Sequence, residues 1–359
     1  MTIRFNALVP GEDGEAIAAA VERVIASGWF VLGPEVEAFE REFAEACSAS
    51  YAVGVGNGTD AIMLALRALD IGPGDEVITS PLSAAYSALA IMMAGARPVF
   101  ADIDPERLTV NPGAVEAAIT PRTRAIVPVH LYGQAADMAA IEDLAARHHL
   151  AIVEDACQAH LATAGGRAVG TIGIAGTFSF YPTKNLGALG DGGAVITNDR
   201  ALADRLKRLR NGGQTSRYHH MESGVNSRLD EMQAAILRAR LPFLRRWTER
   251  RRSVARQYRT GLCKSLAVPP EKDPGHVYHL FPVLSSRREA LQEHLSSRGI
   301  QTLIHYPVPI PRQPALASQD PAVCATADRV CTEVLSLPMY PSLTDEAIAH
   351  IVDAVHRFE

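Results

Sequence analysis

One lysine in this chain, Lys184, stands where its amine could take part in chemistry. It lies in FSFYPTKNLGALGDGGAVITND, residues 178–199, between an apolar run and a run of glycines. The chain has four lysines among 35 basic residues, so arginine supplies nearly all of its positive charge. An amine can be deprotonated and can attack a carbonyl, whereas a guanidinium stays protonated. Lys184 is therefore a candidate nucleophile; the alternative is a surface lysine whose stem packs on the glycines.

A second candidate is GNGTDAI, residues 56–62, in which glycines lead from a β-rich run into a helix. Its first turn begins at Gly58 and carries Thr59 and Asp60, and the free backbone N–H groups there, with the helix dipole, form an anion site. The segment has neither the lysine of a nucleotide P-loop nor the GxGxxG pattern of a dinucleotide site. The alternative is a simple helix cap made by Thr59 or Asp60.

A third candidate is AIVEDACQAH, residues 151–160, an apolar strand that ends on two acids. Ligands of open α/β sheets bind beyond the carboxyl ends of the strands, where Asp155 could pair with a positively charged heteroatom. A helix-capping aspartate is the alternative. Gln158 and His160 follow on the same turn and are expected to reach the same ligand.

The elements that must position these residues follow a βαβ rhythm through the first half of the chain. Apolar strands such as TRAIVPVHL alternate with helical patterns such as AADMAAIEDLAARHH, which predicts an α/β fold with a mostly parallel sheet covered by helices. After residue 200 the pattern changes to arginine-rich helical stretches, followed by a smaller α/β unit. The predicted domains are residues 1–240 and 241–359.

Composition excludes several classes of protein. The chain has 359 residues, 47% of them hydrophobic, with a net charge of −5 and a pI near 6.2, so nucleic acid is not an expected partner. Its apolar runs are too short to cross a membrane, and its N-terminal segment lacks the pattern of a signal peptide. Five cysteines without CxxC spacing favour a reduced, cytoplasmic protein, and no metal site is predicted.

The three candidates together fit one cofactor, pyridoxal 5'-phosphate (PLP). Lys184 would hold its aldehyde as a Schiff base, and Asp155 would keep the pyridine nitrogen protonated so that the ring acts as an electron sink. The helix start at residues 58–60 would anchor the phosphate. Ser179, at the end of another short apolar run, TFSFY, lies close enough in sequence to join the same site.

Long motifs throughout the chain carry a resemblance to the DegT/StrS family of sugar aminotransferases. They are FVLGPEVEAFEREFA, GNGTDAI, PVFADIDPERLTVNP, AIVPVHLYGQAADM, VEDACQAHLA, FSFYPTKNLGALGDGGAVIT, GVNSRLDEMQAAIL and HYPVP. The resemblance spans essentially the whole chain. It implies the aspartate-aminotransferase-like fold type I of PLP enzymes and a reaction that passes through pyridoxamine 5'-phosphate.

The resemblance also implies roles for individual residues. Lys184 matches the Schiff-base lysine, Asp155 the partner of the pyridine nitrogen, and Gln158 the residue near the ring hydroxyl. Gly58, Thr59, Asp60 and Ser179 match the phosphate site. Asn226 matches an asparagine that reaches the phosphate from the neighbouring subunit, so the expected assembly is a homodimer with shared active sites.

Substrate contacts are expected from Trp29 and Phe30 and from the HYPVP loop with His305 and Tyr306. Arg228 is expected to bind the carboxylate of the amino donor or the phosphates of the substrate, and a structural ion pair with Asp230 or Glu231 is the alternative.

One position departs from the family pattern. The aromatic residue that stacks on the pyridine ring in relatives corresponds to Ala84 in SPLSAAYSALA, and the nearest aromatic residue in the segment is Tyr86. Tyr86 could turn in, the loop could shift, or another group could cover the ring.

The expected reaction moves an amino group from glutamate, or glutamine, to a nucleotide-linked ketosugar. NSRLDEMQAAIL resembles the subgroup that aminates 3-keto sugars, which makes a dTDP-3-keto-6-deoxyhexose the first substrate to try. The small Ser227, entering from the partner subunit, is expected to leave room for this sugar. The alternatives are a 4-keto sugar, a keto-cyclitol, and a non-catalytic regulator on the same fold. A dehydratase of the family is disfavoured, because those members carry histidine in place of the lysine.

Overall fold

The computed structural model describes residues 2–262, 266–316 and 322–358, and these contain twelve α-helices and thirteen β-strands. The helices are α1 (Gly14–Ser27), α2 (Pro34–Ala46), α3 (Gly58–Ala68), α4 (Tyr86–Met93), α5 (Pro112–Ala118), α6 (Met138–His148), α7 (Arg200–Leu209), α8 (Glu231–Arg240), α9 (Leu244–Leu262), α10 (Arg288–Ser297), α11 (Ala325–Glu333) and α12 (Asp345–His356). The strands are β1 (Tyr51–Val55), β2 (Glu76–Thr79), β3 (Arg97–Phe100), β4 (Thr123–Val127), β5 (Ala151–Asp155), β6 (Thr163–Ala164), β7 (Arg167–Ala168), β8 (Ala175–Ser179), β9 (Gly193–Thr197), β10 (Gln214–Ser216), β11 (His219–His220), β12 (Phe281–Leu284) and β13 (Val334–Leu337).

Seven strands form the central sheet in the order β1-β9-β8-β5-β4-β2-β3. The pairs from β8 through β3 are parallel, and β9 runs antiparallel to both of its neighbours. Since β1 and β8 are both antiparallel to β9, β1 points the same way as the parallel strands. The ends of β1, β5 and β8 therefore lie at one edge of the sheet, as the sequence predicted for the residues that follow them.

Both faces of this sheet are covered, because alternate residues of a strand point to opposite sides. Ile152 and Phe178 pack on one face with Phe39 and Phe43 of α2. On the other face, the strands pack against α3 and α7. This double burial explains why the strands read as nearly continuous apolar runs.

A buried carboxylate joins three strand ends at the other edge of the sheet. Glu76 accepts hydrogen bonds from Arg97 at 2.6 Å, from Arg122 at 2.7 Å and from Thr120 Oγ1 at 2.6 Å. Burial raises the pKa of Glu76, but these donors outweigh burial and lower that pKa to about 2. The ionised carboxylate thus stabilises the starts of β2, β3 and β4 together.

The C-terminal part forms a second core around the antiparallel pair β12 and β13, with α9, α10 and α12 packed on it. Ile3, near the N-terminus, pairs with Ile300 and packs in this second core. The division of the chain at residue 240 stays a prediction. Within the described residues, no helix combines the length and apolar character that a bilayer span requires.

Candidate active site

The start of α3, the turn after β5 and the end of β8 are in direct contact. A Cβ atom added to Gly58 would lie 2.8 Å from both Cys157 Sγ and Ser179 Cβ, which is closer than real Cβ atoms approach their neighbours. Glycine is therefore required at 58 because the helix start packs against the two strand ends. Three of the segments that the sequence assigns to one cofactor, those of Gly58, Asp155 and Ser179, thus adjoin one another.

The helix start at α3 has free donors. Asn57, rather than Thr59 or Asp60, caps the helix, because its side chain accepts a hydrogen bond from Asp60 N at 2.8 Å. The expected capping residues, Thr59 or Asp60, lie two or three positions too late in the chain, since the extended residue that precedes the helix, Asn57, makes the cap. The N–H groups of Gly58 and Thr59 donate to no other described residue, and Ser179 adjoins them. This arrangement provides an anion site.

Asp155 is buried at the end of β5 and is held at both oxygens. Ser87 Oγ donates to Asp155 Oδ2 at 2.6 Å, and the N–H group of Cys157 donates to Oδ1 at 3.1 Å. Sequence reasoning did not single out Ser87, and the only available signal was a serine in the first turn of a helix that follows a strand. Two donors thus fix the orientation of the carboxylate.

Lys184 lies in the loop between β8 and β9 and is partly buried. Its N–H group donates to Tyr181 O at 2.8 Å, which folds the loop into a turn. Burial lowers the pKa of the Lys184 amine, and nearby Cys157 and Asp155 partly oppose this effect. A larger fraction of the amine is therefore neutral, and hence nucleophilic, than for an exposed lysine.

The glycines that follow Lys184 lie against backbone atoms of neighbouring segments. A Cβ atom at Gly193 would lie 2.4 Å from Asn57 C, and one at Gly187 would lie 2.6 Å from Pro182 O. These glycines make room for neighbouring backbone, including the residue that caps α3. The run GALGDGG thus has a structural reason that needs no cofactor.

Gln158 connects two chain segments through its amide. Its Oε1 accepts from Tyr132 N at 2.8 Å, and its Nε2 donates to the hydroxyl of Tyr306 at 3.0 Å. The Tyr306 hydroxyl also meets the backbone N–H of Ala84, and burial raises the pKa of this phenol to about 12. Tyr306, rather than Tyr86, therefore reaches the segment that lacks the usual aromatic residue; Tyr86 is 63% exposed at the start of α4.

The two histidines that the sequence placed near a ligand differ in position. His305 stacks on Phe5 and makes a 3.0 Å contact with Ser336 Oγ, and burial lowers its pKa to about 4. His160 has no exposed surface and lies between Phe178 and Phe180 in the core. The expectation that His160 reaches the ligand of Asp155 was wrong, because its side chain packs into the core with those two rings.

Arg228 forms an ion pair with neither Asp230 nor Glu231. Its Nη1 donates to Asn211 Oδ1 at 3.1 Å. Asp230 instead caps α8, and Glu231 accepts the backbone N–H groups of residues 33, 35 and 36 at the start of α2. The structural ion pair was therefore a wrong alternative, because helix ends occupy both carboxylates.

Asn226 and Ser227 point in different directions. Asn226 is exposed, whereas Ser227 is 3% exposed. Ser227 Oγ accepts from Gly56 N at 3.0 Å and donates to Asp60 Oδ2 at 2.6 Å, both in its own chain. The expectation that Ser227 leaves room for a sugar in the partner's site was wrong, since its side chain supports the α3 start of its own subunit.

Trp29 and Phe30 lie on the surface of the chain, 56% and 54% exposed. The indole Nε1 of Trp29 donates to Val31 O at 2.8 Å, and Phe30 O accepts from Glu231 N at 3.1 Å. Their backbone is tied to the start of α8, which follows Asn226 closely.

The chain is similar to known aminotransferases along nearly its whole length. A profile of the DegT/DnrJ/EryC1/StrS aminotransferase family matches residues 12–356. The dTDP-3-amino-3,4,6-trideoxy-alpha-D-glucose transaminase of Streptomyces venezuelae is 50% identical over 347 residues, which cover 95% of this chain and 91% of that protein.

Two solved structures are also similar. The crystal structure of S. venezuelae DesV in complex with a ketimine intermediate has a TM-score of 0.96 and 48% identity, with 99% of this chain and 98% of that chain covered. NtdA from Bacillus subtilis, with bound cofactor PMP, has a TM-score of 0.93 and 30% identity, with coverage of 99% and 85%.

Proposed function

The chain belongs to the DegT/DnrJ/EryC1/StrS aminotransferase family, and from this premise we propose that it transfers an amino group from glutamate to a nucleotide-linked 3-keto-6-deoxyhexose. The α/β fold and the family predicted from the sequence are confirmed. The observation that carries the proposal is that the α3 start packs on Cys157 and Ser179, beside Asp155 with its two donors, and that Lys184 lies near enough to Asp155 and Cys157 for these groups to influence its pKa.

The residues present fit pyridoxal 5'-phosphate. The free N–H groups of Gly58 and Thr59, next to Ser179, would hold the phosphate, and the buried Asp155 carboxylate would hold the protonated pyridine nitrogen. Gln158 would face the ring hydroxyl. When bound, the cofactor supplies an aldehyde that accepts the amino group and a ring that acts as an electron sink.

Lys184 and Asp155 would perform complementary tasks. Burial makes the Lys184 amine a weaker base than an exposed lysine, so that Nζ can take up and return the proton that moves during amino transfer. Ser87 and the Cys157 N–H hold the Asp155 carboxylate in a fixed orientation, so that it would stabilise the positive charge of the protonated pyridine nitrogen without having to move. Tyr306, held by Gln158 and Ala84, would cover the side of the site where relatives carry an aromatic residue.

We propose a homodimer whose active sites are shared between subunits. Trp29, Phe30 and Val31 are exposed and lie by the start of α8, where Val31 pairs with Asp230. Leu189, which is 45% exposed, joins the same region through a hydrogen bond to Gln233. Such an apolar patch next to the exposed Asn226 suits a subunit interface through which Asn226 reaches the partner's phosphate site.

The 3-keto position is supported by the residues after Asn226 and by the product named for the similar Streptomyces transaminase. The size of Ser227 does not contribute, because its side chain is buried in its own subunit. Trp29, Arg228 and His305 would contact the sugar nucleotide. A cytoplasmic location and glutamate as donor complete the proposal.

The test is a glutamate-dependent assay of the purified enzyme against 3-keto and 4-keto nucleotide sugars and keto-cyclitols, with the position of the new amine read by NMR. We expect a 3-amino nucleotide sugar. Efficient amination of a 4-keto sugar or a cyclitol, with no 3-keto substrate accepted, would refute the position. If the protein shows neither turnover nor visible cofactor absorption, the alternative of a non-catalytic regulator on the same fold would be favoured.

The central residue has its own control pair. Lys184→Ala should fold and retain the phosphate site, but lose the visible absorption of the loaded enzyme and its turnover. Lys184→Arg should be equally inactive, because a guanidinium keeps the charge but not the nucleophilic amine. Near-normal amino transfer by either variant would show that Lys184 is not the nucleophile.

A further inference from the structure

Arg251, on α9, is a buried guanidinium whose charge is not neutralised. Its side chain belongs to a residue that is 6% exposed, and no acidic group of the described residues pairs with it. Among the described residues, the side chain of Arg251 donates hydrogen bonds only through Nη1. The acceptors are the carbonyl oxygens of Tyr278 at 3.1 Å, His279 at 3.3 Å and Met339 at 2.9 Å. Nε is buried without a partner. Neither Nε nor Nη2, which form one edge of the guanidinium, therefore has a hydrogen-bond partner among the described residues.

The neighbouring arginines differ from Arg251 in this respect. Arg240 pairs with Asp13 at 2.9 Å, Arg250 pairs with Asp345 at 2.9 Å, and Arg246 pairs with Glu12. Burying an unpaired charge is costly, and burial lowers the pKa of Arg251 to about 10. A protein tolerates such a group most readily where an anion binds in the working cycle.

Arg251 lines the same cavity as Lys184. The cavity has a volume of about 460 Å³, which lies in the usual range for small-molecule sites. Its wall also includes Asn185, Trp247 and Tyr340. Because Lys184 and Arg251 both line this cavity, one molecule bound in it can contact both residues.

We propose that Arg251 binds a carboxylate of the amino donor. A carboxylate matches the free Nε–Nη2 edge, which can donate two parallel hydrogen bonds to its two oxygens. One unpaired cation suits one carboxylate, whereas a diphosphate carries more charge and would need a second cation, and the other arginines of the wall already have acidic partners. This assignment rests on the proposed function, and it gives to Arg251 the donor role that the sequence suggested for Arg228.

The experiment separates the two half-reactions of the cofactor-loaded enzyme. In the first, glutamate is added to the pyridoxal form and the spectral change gives its apparent Kd; in the second, the nucleotide ketosugar is added to the pyridoxamine form. Arg251→Lys keeps the charge but loses the two-pronged edge, and Arg251→Gln loses both. Arg250→Lys is the matched control, since Arg250 lines the same cavity but is already paired.

We expect Arg251→Lys to raise the apparent Kd of glutamate by about 10- to 100-fold, and Arg251→Gln by more, because hydrogen bonds to a charged partner are lost. Glutarate, a dicarboxylate without an amine, should lose affinity for the pyridoxal form in parallel. The sugar half-reaction should change by less than about threefold, as should both half-reactions of Arg250→Lys.

Three outcomes would overturn the proposal. The first is an unchanged apparent Kd of glutamate in Arg251→Lys, and the second is an equal loss of activity in the glutamate and sugar half-reactions. The third is loss of cofactor by both Arg251 variants, which would show that the side chain serves only to make its three carbonyl contacts. Failure of the wild-type enzyme to react with glutamate would instead refute the proposed function itself.

Discussion

Replacing Ser227 by alanine should weaken the α3 start without touching any residue that contacts substrate. The hydroxyl of Ser227 accepts from Gly56 N and donates to Asp60, and both partners flank the residues proposed to hold the phosphate. Ser223 lies four residues earlier in the same segment but is exposed. Ser223→Ala is therefore the matched control.

The magnitude follows from the two contacts. A hydrogen bond to a carboxylate contributes about 1.5–3 kcal/mol, and one between neutral groups about 0.5–1.5 kcal/mol. Asp60 and Gly56 are only partly buried, so water replaces part of this loss. We expect Ser227→Ala to lower the free energy of unfolding by about 2 kcal/mol, which corresponds to a fall in Tm of about 4 °C for a unit of this size.

The assay is thermal unfolding of the loaded enzyme, followed by circular dichroism and by cofactor release. Ser227→Tyr should lose cofactor together with turnover, because the larger ring does not fit the buried position and displaces both partners. If Ser227→Ala melts with Ser223→Ala and with the wild type, the two hydrogen bonds do not stabilise the α3 start and the reasoning is refuted. Retention of cofactor by Ser227→Tyr would contradict the burial of this side chain.

Three further predictions concern assembly and pH. Mixing Lys184→Ala chains with Asn226→Ala chains should restore part of the activity, since one site of each mixed dimer is intact; no recovery after subunit exchange, confirmed by mass spectrometry, would argue against a shared site. Glu76→Gln should cost about 2 kcal/mol at neutral pH. Because the pKa of Glu76 is lowered to about 2, its carboxylate contributes fully to the free energy of unfolding above pH 4.5, and this contribution is lost as pH falls to about 2. In urea unfolding, the difference in stability between wild type and Glu76→Gln should therefore disappear between pH 4.5 and about 2. Burial lowers the pKa of His160 to about 3 from its usual value of about 6.5, so the protein loses stability as pH falls below 6.5. The stability of His160→Leu relative to wild type should therefore rise by about 2 kcal/mol between pH 7 and pH 5, and an equal acid loss in both proteins would contradict this.

The sequence by itself determined the parts that depend on local pattern. Continuous apolar runs separated by helical periodicity predict a parallel sheet, because strands buried on both faces must be apolar along their length. Since ligands bind beyond the carboxyl ends of such strands, Asp155 and Lys184 could be named from their position after a run of apolar residues. The choice of lysine over arginine pointed to amine chemistry for the same kind of local reason.

Only the tertiary structure decided which distant side chains support these residues. Ser87 and Asp155 are 68 positions apart, and Gln158 and Tyr306 are 148 apart, so no local periodicity links them. The orientation of His160 depended on which face of its turn meets the aromatic core.

The same holds for charge and burial. A free guanidinium at Arg251 is visible only once the acids near the other arginines are known to be occupied. Ser227 looked like space for a substrate because its size is apparent in the sequence, whereas its two hydrogen bonds within its own subunit are not. A hydrogen bond or an ion pair is a relation between two positions that folding brings together, and the sequence states only the residue types.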